Sequence, residues 1–126
     1  MRLLLAEDNA LNRDMLARRL RRRGHEVIEA QDGGHALELA RTMEPPDVVL
    51  VDLDMPVVNG WGVLSGLRGM GLTQPLFILS AHSLKDNRRR ASELGVTAYL
   101  SKPLDFDELL RRLDEVVPPP KVDSPP

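Results

Sequence analysis

Six residues of this chain have the types and placement to do chemistry together: Glu7, Asp8, Asp52, Asp54, Ser80 and Lys102. Each lies at or just beyond the end of a short apolar run. Leu3-Leu4-Leu5-Ala6 runs into Glu7-Asp8, Val48 to Val51 into Asp52, Leu76 to Leu79 into Ser80, and Thr97 to Ser101 into Lys102. Taken singly, an Asp at a strand end most often caps the next turn or helix. Taken together, acids held close raise one another's pKa and need a cation to remain ionised. A donor set of oxygens without His or Cys suits a hard ion, and an open carboxylate site suits Mg²⁺ better than a full Ca²⁺ cage. Three carboxylates, one Mg²⁺ and the Lys102 ammonium sum to a neutral site. The remaining coordination positions can then take phosphoryl oxygens, with Ser80 donating to one and Lys102 pairing with another, as phosphoryl transfer requires. Asp52 would be the nucleophile, forming an aspartyl phosphate.

These residues meet only if the chain folds so that its strand ends converge. Val48 to Val51 reads as a strand buried on both faces, the signature of the centre of a parallel sheet. Leu3–Ala6, Val27-Ile28 with Ala30, Leu76–Ser80 and Thr97–Ser101 read as further strands. Between them lie helical patterns. Leu11, Met15, Leu16 and Leu20 form one apolar face before Gly24, and Ala36 to Met43 a second helix before Pro45-Pro46. Trp61 to Leu67 is a third helix, weakened by Gly60, Gly62 and Gly66 at about 1 kcal/mol each. Leu84 to Leu94 is a charged fourth helix, and Asp105 with Glu108 signals the start of a fifth through Val117. Five strands alternating with five helices predict a doubly wound α/β fold with a five-stranded parallel sheet, right-handed crossovers and all strand C-termini on one edge. Ligands of such folds bind at that edge.

The chain of 126 residues, net charge −2 and no cysteine fits one soluble globular domain over residues 1–117. The proline-rich residues 118–126 read as a disordered tail or linker stub. Disulfides and thiolate metal sites are excluded. The apolar run after Arg2 stops at Glu7, too short for a signal peptide, and nothing approaches a membrane span. A cytoplasmic protein without membrane contact is expected.

The ordered pieces Glu7-Asp8, Asp52-Leu53-Asp54-Met55-Pro56 with Gly60, Ser80-Ala81, and Lys102-Pro103 resemble the receiver domain of a two-component response regulator. The resemblance spans residues 2–117. It implies the flavodoxin-like strand order 2-1-3-4-5, with Asp52 as phosphoacceptor, Asp8 as direct Mg²⁺ ligand and Glu7 reaching the metal through water. It further implies that Asp54 offers its backbone carbonyl to the metal, that Ser80 moves toward the phosphoryl group, and that Tyr99 turns inward behind it. The Lys102-Pro103 bond is expected to be cis. The implied partners are a histidine kinase or histidine phosphotransfer protein as donor, and a downstream protein on the face of the fourth helix, last strand and last helix; a homodimer is left open. A receiver is a self-phosphorylating switch, not a turnover enzyme.

Glu7 departs from the commoner Asp, lengthening one ligand arm. Asp54 and His82 occupy the variable positions that tune phosphoryl lifetime in the family, although His82 read alone is a solvated loop histidine. Trp61 reads as packing or partner contact. The arginine run Arg18 to Arg23 reads as a solvated helix face rather than a nucleic-acid site, since aromatic interleaving and net positive charge are missing; in the family this helix helps dock the phosphodonor. Two alternatives differ in class. A haloacid-dehalogenase-like phosphatase also phosphorylates the first Asp of Asp52-Leu53-Asp54, but it needs acidic ligands after its lysine. A pseudo-receiver would keep the fold as an interaction module and take no phosphate.

Overall fold

A computed structural model describes residues 1–55 and 59–116. Pro56, Val117 and the tail over 118–126 lie outside the described residues. The elements run β1 (Arg2–Ala6), α1 (Ala10–Arg22), β2 (Glu26–Ala30), α2 (Gly33–Thr42), β3 (Val48–Asp52), α3 (Gly60–Gly69), β4 (Leu76–Ser80), α4 (Leu84–Glu93), β5 (Ala98–Ser101) and α5 (Phe106–Glu115). The strands form one parallel sheet in the order β2-β1-β3-β4-β5, as expected. β3 and β4 are buried at every position, because helices cover both faces of the sheet's centre.

Strand alternation divides the core in two. Leu3, Leu5, Leu50 and Phe77 face one way and pack with Leu20 of α1 and Leu109 and Leu113 of α5. Leu4, Val49, Val51 and Ile78 face the other way and pack with Ala36 of α2 and Val63, Leu64 and Leu67 of α3. Successive strand side chains point to opposite faces, so a slip of one residue would exchange the two cores.

The helices start where their caps dictate. Asn9, Asp32, Asn59 and Asp105 each accept a backbone N–H three residues on, at 2.7–3.1 Å, worth about 1 kcal/mol apiece. α4 is the exception. Ser83 makes no side-chain cap and Ala91 is its one buried residue, so α4 is the helix with the least holding it.

One local expectation is corrected. Leu11 and Met15 are exposed, at 67% and 55%, and the inward face of α1 is Leu16, Ala17 and Leu20. Met15 precedes Leu16 by one position, roughly 100° around the helix, and small Ala17 lets the helix settle with Leu20, not Met15, against the sheet. Two of the glycines of α3, Gly60 and Gly66, are explained by contacts. A Cβ on Gly60 would stand 2.6 Å from Leu53 Cα and 2.8 Å from the Asp52 carbonyl oxygen, and one on Gly66 would meet Leu37 of α2. Close approach to neighbouring chain outweighs the lost helix propensity.

Candidate functional site

The parallel order carries the C-terminal ends of β1, β3, β4 and β5 to one edge, and the expected residues come with them. Carboxylate oxygens of Glu7, Asp8 and Asp52 lie within 4.8 Å of one another. Glu7 and Asp52 are buried while Asp8 is exposed, so the cluster opens to solvent on the Asp8 side. Lys102 Nζ donates to Asp52 Oδ1 at 2.8 Å and lies 3.3 Å from Asp54 Oδ2. The Asp54 N–H also donates to Asp52 Oδ1, at 2.9 Å. Two donors on one oxygen orient the Asp52 carboxylate before any ligand arrives.

The electrostatics result from this crowding. Burial, then the hydrogen bond and charge of Asp52, push the Glu7 carboxyl up to about 8, against a smaller opposing pull from Lys102. For Asp52, burial works against ionisation, but hydrogen bonds from Glu7, Lys102 and the Asp54 N–H prevail and hold its pKa below the usual value. Burial likewise opposes the Lys102 charge, and Asp52 and Asp54 together reverse that, raising its pKa. The picture is of an ionised Asp52 receiving a proton-bearing Glu7 on one side and an ammonium on the other. A proton thus fills a place that a cation of higher charge fits better, and the oxygen-only donor set matches Mg²⁺. Glu7, Asp8 and Asp52 are the residues to hold it.

Ser80 is fully buried and its Oγ accepts the His82 N–H at 3.0 Å. Tyr99, half-buried on β5, donates its hydroxyl to the His82 carbonyl at 2.9 Å and accepts from Asn87 Nδ2 of α4 at 2.9 Å. The His82 ring is exposed, with Nε2 3.9 Å from Asp54 Oδ1. The Lys102-Pro103 peptide is cis.

The Asp54 side chain makes a contact that sequence reasoning missed. Its Oδ2 accepts the Ala81 N–H at 3.1 Å while facing Lys102, spanning the ends of β3, β4 and β5. Asn87 was missed too, since nothing local distinguishes one polar residue on a charged helix. Trp61 is partly buried against the α2/α3 core, with the Arg90 guanidinium 5.4 Å from its ring centre. The arginines of α1 are distributed as braces: Arg18 pairs with Asp14, Arg19 lies 3.9 Å over the Phe106 ring, and Arg21 pairs with Glu29.

Comparison with known proteins agrees with this geometry. A family model described as the response regulator receiver domain matches residues 3–114. The transcriptional regulatory protein KdpE of Mycobacterium tuberculosis is 43% identical over 95 residues, covering 75% of this chain but 41% of KdpE. The chain thus spans less than half the length of that curated relative. The receiver domain of the Francisella response regulator 1452 superposes with a TM-score of 0.84 at 30% identity, covering 91% of this chain and 94% of that one. The response regulator TrrA of Thermotoga maritima, solved in complex with Mg²⁺ and BeF, superposes at 0.80 and 27% identity, covering 92% and 98%. The phosphatase alternative finds no support: the acid pair ends β1, ahead of Asp52, and no strand comes after Lys102 among the described residues. Pattern, sheet order and family match lead to one conclusion, that this chain belongs to the response regulator receiver domains of two-component signalling.

Proposed function

We propose that Asp52 accepts a phosphoryl group from the phosphohistidine of a histidine kinase or histidine phosphotransfer protein. The observation that carries this is the meeting of three carboxylates within 4.8 Å with an ammonium 2.8 Å from the central one. An Asp52 carboxylate oxygen attacks phosphorus, the P–N bond to imidazole breaks, and an acyl phosphate forms. Asp8 would hold Mg²⁺ directly, Glu7 would reach it through water, and Asp54 would offer its backbone carbonyl. Mg²⁺ held there would supply positive charge to offset that of the phosphoryl oxygens. Lys102 neutralises charge on the transferring group, and Ser80 donates its hydroxyl to one of that group's oxygens while its Oγ goes on accepting the His82 N–H. The chain promotes this step and the later hydrolysis on its own Asp52 only. In that hydrolysis water attacks phosphorus, the bond to the Asp52 carboxylate breaks and inorganic phosphate leaves, and Asp54 and His82 tune the lifetime.

The donor docks beside the site. An open groove of about 290 Å³ runs between α1 and the chain at Pro103, lined by Glu7, Met15, Leu16, Lys102, Pro103 and Leu104. Exposed Leu11 and Met15 stand beside α1's site end, where an apolar helical surface carrying the phosphohistidine would cover them. Output runs through α4, β5 and α5. The new charge draws Ser80 inward, the His82 backbone moves with it, and Tyr99 loses its carbonyl partner and turns in. α4, lacking a side-chain cap, is the element free to respond to a downstream protein or a second copy. In this reading residues 1–117 are the receiver, 118–126 a tail or linker, and the site of action is the cytoplasm.

The test is mass spectrometry after exposure to a small acyl phosphate. The wild type should gain one phosphoryl group with Mg²⁺ and far less without it, and Asp52→Asn should gain none. Equal gain by Asp52→Asn defeats the assignment, and a wild type that gains none returns the chain to the pseudo-receiver reading.

A further inference from the structure

Arg13 is the one α1 arginine that is not exposed, its side chain 17% accessible. Its Nη1 donates to the Glu7 carbonyl at 2.9 Å, and its Nε lies 3.6 Å from Glu29 Oε1 of β2. Glu29 in turn uses Oε2 for Arg21, 3.1 Å away. The residue after Glu29 completes the arrangement, since the Ala30 carbonyl accepts the Glu7 N–H at 3.2 Å. The backbone of Glu7 is therefore held at both its polar groups, by β2 on one side and by the first turn of α1 on the other. Only Glu7, Asp8 and Asn9 connect β1 to α1, so fixing the Glu7 carbonyl fixes the peptide that orients both acidic side chains.

We propose that Arg13, braced by Glu29, is a positioning residue that sets the affinity of the Glu7–Asp8 pair for the divalent cation. This rests on the metal-site reading of Glu7, Asp8 and Asp52. A guanidinium near a cation site would by charge alone weaken cation binding. Holding two ligands in place strengthens it, and partners that orient metal ligands are typically worth about 10- to 100-fold in affinity. Glu29, shared with Arg21, offsets part of the unfavourable charge, and Arg13 makes its closest contact, at 2.9 Å, with the Glu7 carbonyl, which favours the geometric effect. The two accounts of Arg13 thus predict opposite signs.

The experiment is calorimetric titration of the full chain with Mg²⁺, comparing wild type, Arg13→Met, Arg13→Lys and Glu29→Gln, with folding of each checked by circular dichroism. The expected Kd rises about tenfold in Arg13→Met. Arg13→Lys recovers part of the loss, and Glu29→Gln, which leaves Arg13 in place, weakens binding about threefold, below the range typical of such partners. At saturating Mg²⁺ the rates of labelling by a small acyl phosphate should converge across the variants, since only occupancy has changed. An Arg13→Met protein that binds Mg²⁺ as tightly as wild type, or more tightly, overturns the inference and leaves the phosphoacceptor reading standing. If Arg13→Met does not fold, an unchanged Kd in Glu29→Gln overturns it instead. A wild type that binds no Mg²⁺ overturns the metal-site reading and this inference together.

Discussion

Lys102 Nζ lies 2.8 Å from Asp52 Oδ1, joining the end of β5 to the end of β3 across the intervening strand β4. Burial opposes ionisation of this carboxylate, and the hydrogen bond from Glu7, this one from Lys102 and that from the Asp54 N–H together hold its pKa below the usual value. The same ammonium is placed to meet charge arriving on a phosphoryl group. Replacing it should act mainly on the transfer step, where a preorganised donor is worth about 10²- to 10³-fold. Lys102→Ala is expected to slow labelling by a small acyl phosphate about 10²-fold at saturating Mg²⁺. A rate within a few-fold of wild type would show that Lys102 is only structural.

Glu7 makes one contribution to the pH dependence of the metal-free protein, opposed in sign by partly buried His25, whose pKa burial lowers. The Glu7 pKa in the folded state is pushed from an ordinary 4.5 up to about 8, so in that window this group binds more protons in the folded state than in the unfolded one. Stability from this group is complete below about 4.5 and is lost as pH rises toward about 8. The Glu7 contribution, read as the difference in metal-free denaturation midpoint between wild type and Glu7→Gln, should therefore fall as pH rises through this window. Millimolar Mg²⁺ should oppose that fall by replacing the proton. A metal-free difference that does not fall between pH 5 and 8 would contradict the buried, proton-sharing arrangement.

The glycines of α3 offer a contrast within one helix. Gly60→Ala forces a Cβ against two backbone atoms, Leu53 Cα and the Asp52 carbonyl oxygen, and should destabilise by about 1–3 kcal/mol. Because those atoms belong to the strand end that carries Asp52, phosphoryl acceptance should fall with it. Gly69 has nothing within 4 Å of its added Cβ, so Gly69→Ala should be neutral or stabilise by up to about 1 kcal/mol. Urea denaturation of the two variants distinguishes close approach from helix propensity as the reason for these residues.

Much of this was legible in the sequence for a definite reason. β1, β3 and β4 lie at the centre of a parallel sheet, and burial on both faces leaves an unbroken apolar run ending in a polar residue. The strand-end residues Glu7, Asp8, Asp52, Ser80 and Lys102 could be found because the topology alone brings them to one edge. What stayed hidden depends on side-chain direction. The apolar periodicity of α1 is compatible with Leu11 and Met15 facing inward, and only packing around Ala17 decides against it. Tyr99 could be marked as a switch, but not its bond to Asn87, and Arg13 is indistinguishable in sequence from its exposed neighbours until its partners are seen.

Asp54 is the clearest instance of a residue whose role the fold changes. Its carboxylate already occupies the Ala81 N–H, at 3.1 Å, and faces Lys102 at 3.3 Å. A peptide N–H and an ammonium converging on one oxygen are donors that suit an oxyanion, so an incoming phosphoryl oxygen must displace the one already there. Losing a competing hydrogen bond of about 1 kcal/mol corresponds to about fivefold in a rate or affinity. Asp54→Ala should therefore be labelled several-fold faster by a small acyl phosphate and should bind beryllofluoride with Mg²⁺ more tightly. Asp54→Asn, which keeps an acceptor but loses the charge, should fall between. An Asp54→Ala protein that is labelled more slowly than wild type would mean that this carboxylate assists the transfer, and the competition argument would fail.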